Sequence, residues 1–303
     1  MRISEEGKGT IAVLITGTLW GTIGAFVAEM AARGSSSALT SFLRMGFACL
    51  IMVGLTIVRY GPRSLLLDAR TLLSCALLGL VSQGAYNVLY SMSILANGVS
   101  AASILLYSAP VSTAITARIL FAERISRRKA LALAINVLGC ALTVTGARMS
   151  LAGLSAYGIL TGLGAGFCYS TVAVFGKLAS QRANAFVVST WSYLFAALFL
   201  AILTRPSLAP LDAPLIGLGI LYAIIPTSLA YVIYYSGIRK IRQVSKIPVL
   251  ASVEPIVATL IGLSFYHEAI GAGQLTGIAL VLCSIMMMRE REEPQSADAR
   301  PRP

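Results

Sequence analysis

The sequence predicts an all-α membrane protein, because its composition, the length of its apolar segments and an internal repeat all indicate that class. Of the 303 residues, 57% are hydrophobic and only 12% are charged, and the mean hydropathy is +0.81. A water-soluble domain of this size has no core large enough to bury so many apolar residues. The chain is therefore expected to cross a membrane several times.

The apolar residues fall into ten windows, each about the 20 residues that a helix needs to cross a hydrocarbon core of about 30 Å. The windows lie near residues 10–30, 38–58, 71–95, 99–121, 129–147, 156–179, 185–204, 213–236, 245–266 and 270–288. They are too long for barrel strands and lack polar alternation, so they predict ten transmembrane helices.

The second half of the chain repeats the first at a constant offset of 145 residues. Ala85, Tyr86, Tyr90, Ser91, Val99, Ser100, Leu105, Pro110, Glu123 and Ile125 recur as Ala230, Tyr231, Tyr235, Ser236, Val244, Ser245, Leu250, Pro255, Glu268 and Ile270. The repeat predicts two five-helix units, at residues 1–150 and 151–290. Residues 291–303 are charged and rich in proline, so a disordered cytoplasmic tail is expected there.

The basic residues are distributed unevenly between the segments that join the windows. With the N-terminus inside, the inner segments hold nineteen Lys and Arg residues and the outer loops hold three. This asymmetry predicts that both termini are cytoplasmic. The net charge of +12 then faces anionic lipid headgroups of the bilayer, and no nucleic acid partner is expected.

An odd number of helices in each unit means that the second unit enters the membrane in the opposite sense to the first. The charges agree with this, since Arg124 aligns with the neutral Ala269 and Arg239 aligns with the neutral Ile94. Inverted repeats of this kind are typical of secondary transporters, in which the substrate binds near the midplane between the halves. A small-molecule transporter is the function that the pattern predicts.

A polar and aromatic stripe on the third helix is the main candidate for the substrate site. The stripe consists of Gln83, Tyr86, Asn87 and Tyr90, which follow the spacing of one helical face. Tyr231 and Tyr235 supply a related face on the eighth helix. These side chains are predicted to line a wet cavity, and the alternative is that their polar groups only bond neighbouring helices.

Two charged residues lie inside the apolar windows. Arg44 either extends to the outer interface or meets a substrate carboxylate or an acidic partner. Glu254 is a candidate to bind a substrate ammonium group, to carry a proton in coupled transport, or to pair with Arg44 or Arg118. The sequence leaves these alternatives open, and with them the choice between proton-coupled and facilitated transport.

Trp20 and Tyr107 are further candidates for the cavity wall, although Trp20 is also compatible with a lipid-facing position. Pro110 and Pro255 lie in the fourth and ninth windows at equivalent positions of the repeat. Each proline removes a backbone N–H and bends its helix. The pair is predicted to form gating hinges, and the alternative is a static kink that shapes the cavity.

Several residue types are expected to have structural roles only. The five cysteines lie in apolar windows without metal-ligand spacing, and no cofactor, metal or catalytic motif is predicted. Glu123 and Glu268 each end a helix, where capping is the expected role. His267, in an outer turn, is the weakest candidate for a proton carrier.

Four short motifs carry a resemblance that spans residues 10–290. They are Ser-Ala-Pro-Val and Val-Glu-Pro-Ile around the two prolines, and Ala-Glu-Arg-Ile and His-Glu-Ala-Ile around the two helix-ending glutamates. The chain resembles the drug/metabolite transporter superfamily, and within it the ten-helix EamA-type exporters. Tyr86, Tyr90 and Tyr107 are similar to the pattern of bacterial aromatic amino-acid exporters. Arg44 aligns with Ser189, so this element is not shared by the two halves.

The resemblance implies efflux of aromatic and other apolar amino acids across a bacterial inner membrane. An aromatic wall with one carboxylate suits a neutral or zwitterionic substrate. Exporters of other drugs or metabolites and sugar-phosphate or nucleotide-sugar antiporters are the alternatives, and the last two need several basic residues at the cavity. The missing catalytic motifs disfavour an enzyme, and the sequence favours neither a monomer nor a dimer.

Overall fold

The computed structural model describes residues 4–146, 154–209, 211–266 and 270–288. Within these ranges every regular element is a helix and there is no strand, which confirms the predicted all-α class. His267, Glu268 and the predicted tail at 291–303 lie outside the described residues.

Nine of the described helices are long and apolar enough to cross a membrane. They are α1 (Glu5–Ala32), α2 (Ser37–Tyr60), α3 (Ala69–Val99), α4 (Ala101–Phe121), α5 (Arg127–Thr145), α6 (Ala156–Ser180), α7 (Ala185–Thr204), α8 (Ala213–Ile238) and α9 (Val244–Tyr266). A shorter apolar helix, α10, covers Ala272–Met288. The chain is thus a multi-pass membrane protein, whereas the count of ten spans and their sidedness stay predictions.

Short polar residues fix where most of the helices begin. Their side chains accept a hydrogen bond from a backbone N–H of the first turn, which otherwise lacks a partner. These residues are Ser4, Ser36, Asp68, Ser126, Asn184 and Asp212, at the starts of α1, α2, α3, α5, α7 and α8. The apolar stretches therefore start at defined positions.

Helices α3 and α8 each contain a π-helical segment at equivalent positions of the repeat. The segments are Leu78–Ala85 in α3 and Ile224–Leu229 in α8. Adding the offset of 145 to 78 and 85 gives 223 and 230, so the second segment falls inside the range that the first one predicts. Such segments are rare and occur mostly at functional sites.

Helices α4 and α9 are interrupted directly before their prolines. In α4 the second part begins at Ala109, after Tyr107 and Ser108, and in α9 the second part begins at Val253, after Ser252. Each proline thus lies in the first turn of a new helix, where the missing N–H costs nothing. The predicted bends are breaks in the helices, and they occur at equivalent positions.

The helix pairs with the most extensive packing all join one half of the chain to the other. Helix α2 packs on α7 and α5 packs on α10, so each helix lies against its own repeat counterpart. The contact of α3 with α6 is matched by that of α8 with α1. Glycines permit the close approach, because a Cβ on Gly139 of α5 would lie 2.8 Å from the Val281 nitrogen of α10, and one on Gly237 of α8 would lie 2.6 Å from Ala12 Cβ of α1.

One end of the bundle, here named the basic end, carries the start of α1, the end of α4 and the start of α9. The Glu123 carboxylate accepts hydrogen bonds from the backbone N–H of Val244 (2.5 Å) and from the Ser245 hydroxyl (2.6 Å). Glu123 therefore caps α9, a helix of the other half. Lys129 Nζ lies 3.6 Å from the same carboxylate, and both side chains are at most 9% exposed.

Two further lysines form contacts at the basic end. Lys177 Nζ donates to the backbone carbonyls of Ile241 and Arg242, which follow α8. Lys246 forms an ion pair with Glu6 over 3.3 Å, which joins α9 to α1. The contacts of Glu123 and Lys246 thus join the two halves of the chain at this end, whereas the Lys177 contacts lie within the second half.

The variant Glu123→Ala is expected to lower the stability of the protein. It leaves the first N–H groups of α9 without their cap and Lys129 buried without its anion, and breaking a buried ion pair costs about 3–5 kcal/mol. Thermal unfolding of the detergent-solubilised protein measures the effect. In the control Glu29→Ala the exposed pair with Arg33 is lost at a cost of about 0–1 kcal/mol. Equal unfolding temperatures for both variants contradict the capping role.

Candidate functional site

A cavity lies among helices α1, α4, α6, α8 and α9. Its volume is about 30 Å³ in this conformation, and about 450 Å³ when crevices between atoms and the part open to the surroundings are counted. The wall of the cavity contains four aromatic side chains and one carboxylate, and its other residues are small or apolar. The five are Trp20, Tyr107, Tyr169, Tyr234 and Glu254.

The two helix breaks place residues of the wall. Tyr107 lies at the interruption of α4, and Ser252 and Glu254 lie at the interruption of α9. Pro110 also lines the cavity, whereas Pro255 does not. At each break, the ends of two helix segments face the cavity. A membrane protein tolerates irregular backbone where it lines a cavity.

Trp20 joins the wall to an aromatic cluster behind it. Its ring centroid lies 5.1 Å from that of Tyr231, 5.2 Å from that of Tyr234 and 6.3 Å from that of Tyr169. The side chain is 3% exposed, so it does not face lipid. Its indole N–H has no hydrogen-bond partner in the described part of the chain.

Tyr86 extends the aromatic surface along α3. Its ring lies 5.2 Å from the ring of Tyr169 and is stacked on Tyr90 at 5.9 Å. The Tyr90 hydroxyl lies 2.8 Å from the hydroxyl of Ser103 on α4. Tyr86 therefore borders the wall, while Tyr90 connects α3 to α4.

Tyr231, Tyr235 and Gln83 lie behind the wall rather than in it. Tyr231 contacts the rings of Trp20 and Tyr193, and Tyr235 is completely buried. Gln83 Nε2 donates to the Tyr235 hydroxyl over 3.4 Å. In this conformation the three residues position the wall and have no surface in the cavity.

Asn87 points away from this cavity, to a second pocket. Its side-chain oxygen accepts a hydrogen bond from the Ser41 hydroxyl over 3.1 Å. Both residues line a more open space of about 830 Å³ among α2, α3 and α7. The polar stripe predicted on α3 is therefore divided between two surfaces.

Arg44 is directed into the protein and not toward an interface. Nε donates to the Thr227 hydroxyl over 3.1 Å, and Nη1 donates to the Tyr222 hydroxyl over 3.3 Å. The guanidinium also lies 5.1 Å from the centroid of the Tyr222 ring. Arg44 is 6% exposed and has no acidic residue at ion-pair distance among the described residues. It binds the π segment of α8 to α2.

Glu254 is the acidic residue of the cavity wall. The Tyr169 hydroxyl donates to its carboxylate over a long 3.4 Å. No Lys, Arg or His belongs to the described lining of the cavity, and no ion pair to Glu254 occurs in the ranges that the structure covers. A carboxylate that lies within aromatic rings and has no ion-pair partner among the described residues attracts a cation.

Tyr169, Tyr222 and Thr227 are site residues that the sequence analysis missed. Tyr169 has no equivalent tyrosine in the first half of the chain, because the 145-residue offset aligns it with Gly24. Tyr222 and Thr227 become important only through Arg44, which reaches them across 178 and 183 residues of sequence. Within the described residues, no group of acidic, histidine and cysteine side chains forms a metal site.

Comparisons with known proteins agree with this architecture. The model of the EamA-like transporter family matches residues 7–145 and 156–289. An uncharacterized transporter from Archaeoglobus fulgidus is 27% identical over 280 residues, which cover 92% of this chain and 95% of that protein. A solved crystal structure has a TM-score of 0.77 at 18% identity over 92% of this chain and 96% of the other, a likeness of fold alone. The resemblance predicted from the sequence is confirmed.

The variant Arg44→Gln is expected to lower the free energy of unfolding, because Tyr222 and Thr227 lose a charged hydrogen-bond donor. Hydrogen bonds to charged groups contribute about 1.5–3 kcal/mol each. Thermal unfolding in detergent measures the change, and Arg118→Gln on the exposed surface of α4 serves as the control. If Arg44→Gln unfolds at the temperature of the control, the link between α2 and α8 is not stabilising.

Proposed function

The chain belongs to the EamA-like transporter family, and from this membership we propose that it is a secondary transporter that exports amino acids, aromatic and other apolar ones, across a bacterial inner membrane. The observation that carries the proposal is the cavity wall, which combines four aromatic rings with one carboxylate. A small molecule with an apolar side chain and an ammonium group fits such a wall.

Each part of the wall has a role in binding. Glu254 holds the ammonium group of the substrate, and the rings of Trp20, Tyr107 and Tyr169 receive its side chain. Tyr86 and Tyr231 position these rings from behind, through the contacts described above. A phosphorylated substrate is disfavoured, because it needs basic side chains and the described wall has none.

The proposed topology has ten spans in two inverted five-helix units, with both termini in the cytoplasm. The uneven distribution of Lys and Arg supports the orientation. The equivalent π segments, the equivalent helix breaks and the two stretches matched by the family model support the repeat. Under this topology the basic end faces the cytoplasm.

Transport proceeds by alternating access around the cavity. The breaks before Pro110 and Pro255 are the hinges, since a helix end absorbs a change of direction more easily than a continuous helix. At the basic end the contacts of Glu123 with Val244 and Ser245 and of Lys246 with Glu6 join the two halves, which supports a state closed on that side. Opening to the cytoplasm requires the Glu123 carboxylate to leave the start of α9.

Uptake of radiolabelled phenylalanine and tryptophan into liposomes that contain the purified protein tests the function. Saturable uptake is expected for the wild type, and at least a tenfold loss for Glu254→Gln, because the neutral amide no longer attracts an ammonium group. The surface variant Glu29→Gln is the control and is expected to keep full activity. Absence of uptake by correctly folded wild-type protein contradicts amino-acid transport.

The hinges are tested by Pro110→Ala and Pro255→Ala. Each variant restores a backbone N–H and favours a continuous helix, so the turnover number is expected to fall several-fold while substrate affinity changes little. Pro62→Ala, on an exposed loop between α2 and α3, is the control. Unchanged turnover in both hinge variants contradicts gating at these positions.

A further inference from the structure

We infer that the cavity recognises its substrate by the ammonium group, and that a carboxylate on the substrate is dispensable, so that organic amines with an aromatic or apolar body are also ligands. This inference rests on the proposed function only in taking the cavity as the transport site. It extends the substrate class from amino acids to their decarboxylated analogues.

The charges of the wall support a cationic ligand. Glu254 is its one acidic residue, and the described lining contains no basic residue. The one hydrogen bond to this carboxylate from the described residues, donated by the Tyr169 hydroxyl at 3.4 Å, is neutral and long, and the carboxylate can accept a further hydrogen bond. A ligand that brings a positive charge neutralises a carboxylate that has no ion-pair partner among the described residues.

The rings around Glu254 suit the same ligand. Trp20, Tyr107, Tyr169 and Tyr234 all belong to the cavity wall. The face of each ring carries partial negative charge, so a cation is attracted to it, most strongly where water is excluded. Rings also contact the apolar body of an amine without needing a polar group on it.

The described part of the cavity wall offers no comparable site for a substrate carboxylate. Arg44 is the basic residue that the sequence offered as a partner for a substrate carboxylate, but it is absent from the cavity lining. Two of its donors are already bound to Thr227 and Tyr222 on α8. The indole N–H of Trp20 is a neutral donor without a partner in the described ranges, and it supplies no opposite charge. A carboxylate therefore gains much less from this wall than an ammonium group does.

Three ligands with the same phenyl ring distinguish the contribution of the ammonium group to binding from that of the carboxylate. Phenethylamine has only the ammonium, 3-phenylpropanoate has only the carboxylate, and phenylalanine has both. Binding of each to the purified full-length protein is measured by isothermal titration calorimetry, and each is tested as an inhibitor of phenylalanine uptake. Phenethylamine is expected to bind at least tenfold more tightly than 3-phenylpropanoate.

Glu254→Gln is expected to weaken phenethylamine binding at least tenfold, whereas Glu29→Gln leaves it unchanged. The wild-type ranking of the three ligands is decisive by itself, so the inference stays testable even if the Glu254 variant does not fold. Thermal unfolding shows whether that variant is folded before its binding is compared.

The possible results separate the inference from the proposed function. If phenylalanine is transported but phenethylamine neither binds nor inhibits, the inference is overturned and the proposed function stands. If phenethylamine binds in a manner that requires Glu254 while no amino acid is transported, the inference stands and the proposed function fails. If 3-phenylpropanoate binds as tightly as the amine, or if none of the three binds, the inference is overturned.

Discussion

The need to satisfy backbone hydrogen bonds without water constrains every part of this structure. In lipid an N–H or carbonyl group without a partner costs several kcal/mol, so spans are helical and irregular backbone is tolerated only inside the protein. The breaks of α4 and α9 obey this rule, since Tyr107 and Ser252 lie at the cavity. Proline has no backbone N–H, so at these breaks no such group is left without a hydrogen-bond partner. Small residues bring the neighbouring helices close enough to cover the break.

The all-α membrane class and part of the candidate site could be predicted from the sequence. Apolar windows about 20 residues long, the 145-residue offset and the two prolines are local patterns, and each depends only on the length and spacing of side chains. Trp20, Tyr107 and Glu254, which were candidates for the cavity wall, do line the cavity, and so does Pro110, which was predicted as a hinge or a static kink. Such residues are recognisable because lipid gives them no favourable alternative position.

The remaining features depend on which helices become neighbours, and no local pattern encodes that. The helical periodicity of α3 predicts that Gln83, Asn87 and Tyr90 share one face. In the structure each of these side chains is hydrogen-bonded to a different helix, Gln83 to α8, Asn87 to α2 and Tyr90 to α4. Tyr169 resembles any other tyrosine until α6 brings it beside Glu254. Glu123 was expected to cap a helix, yet the helix it caps lies 121 residues further on.

The packing of helices across the two halves has a consequence for the stoichiometry of binding. A bundle assembled from two identical five-helix chains would carry every charged group twice, once from each subunit. In the fused chain the offset aligns Glu254 with Ala109, and Arg44 with Ser189, so each charge occurs once. In one polypeptide the two copies can differ, so the described cavity wall has one carboxylate where two identical chains would supply two, and one carboxylate balances the charge of one monovalent cation.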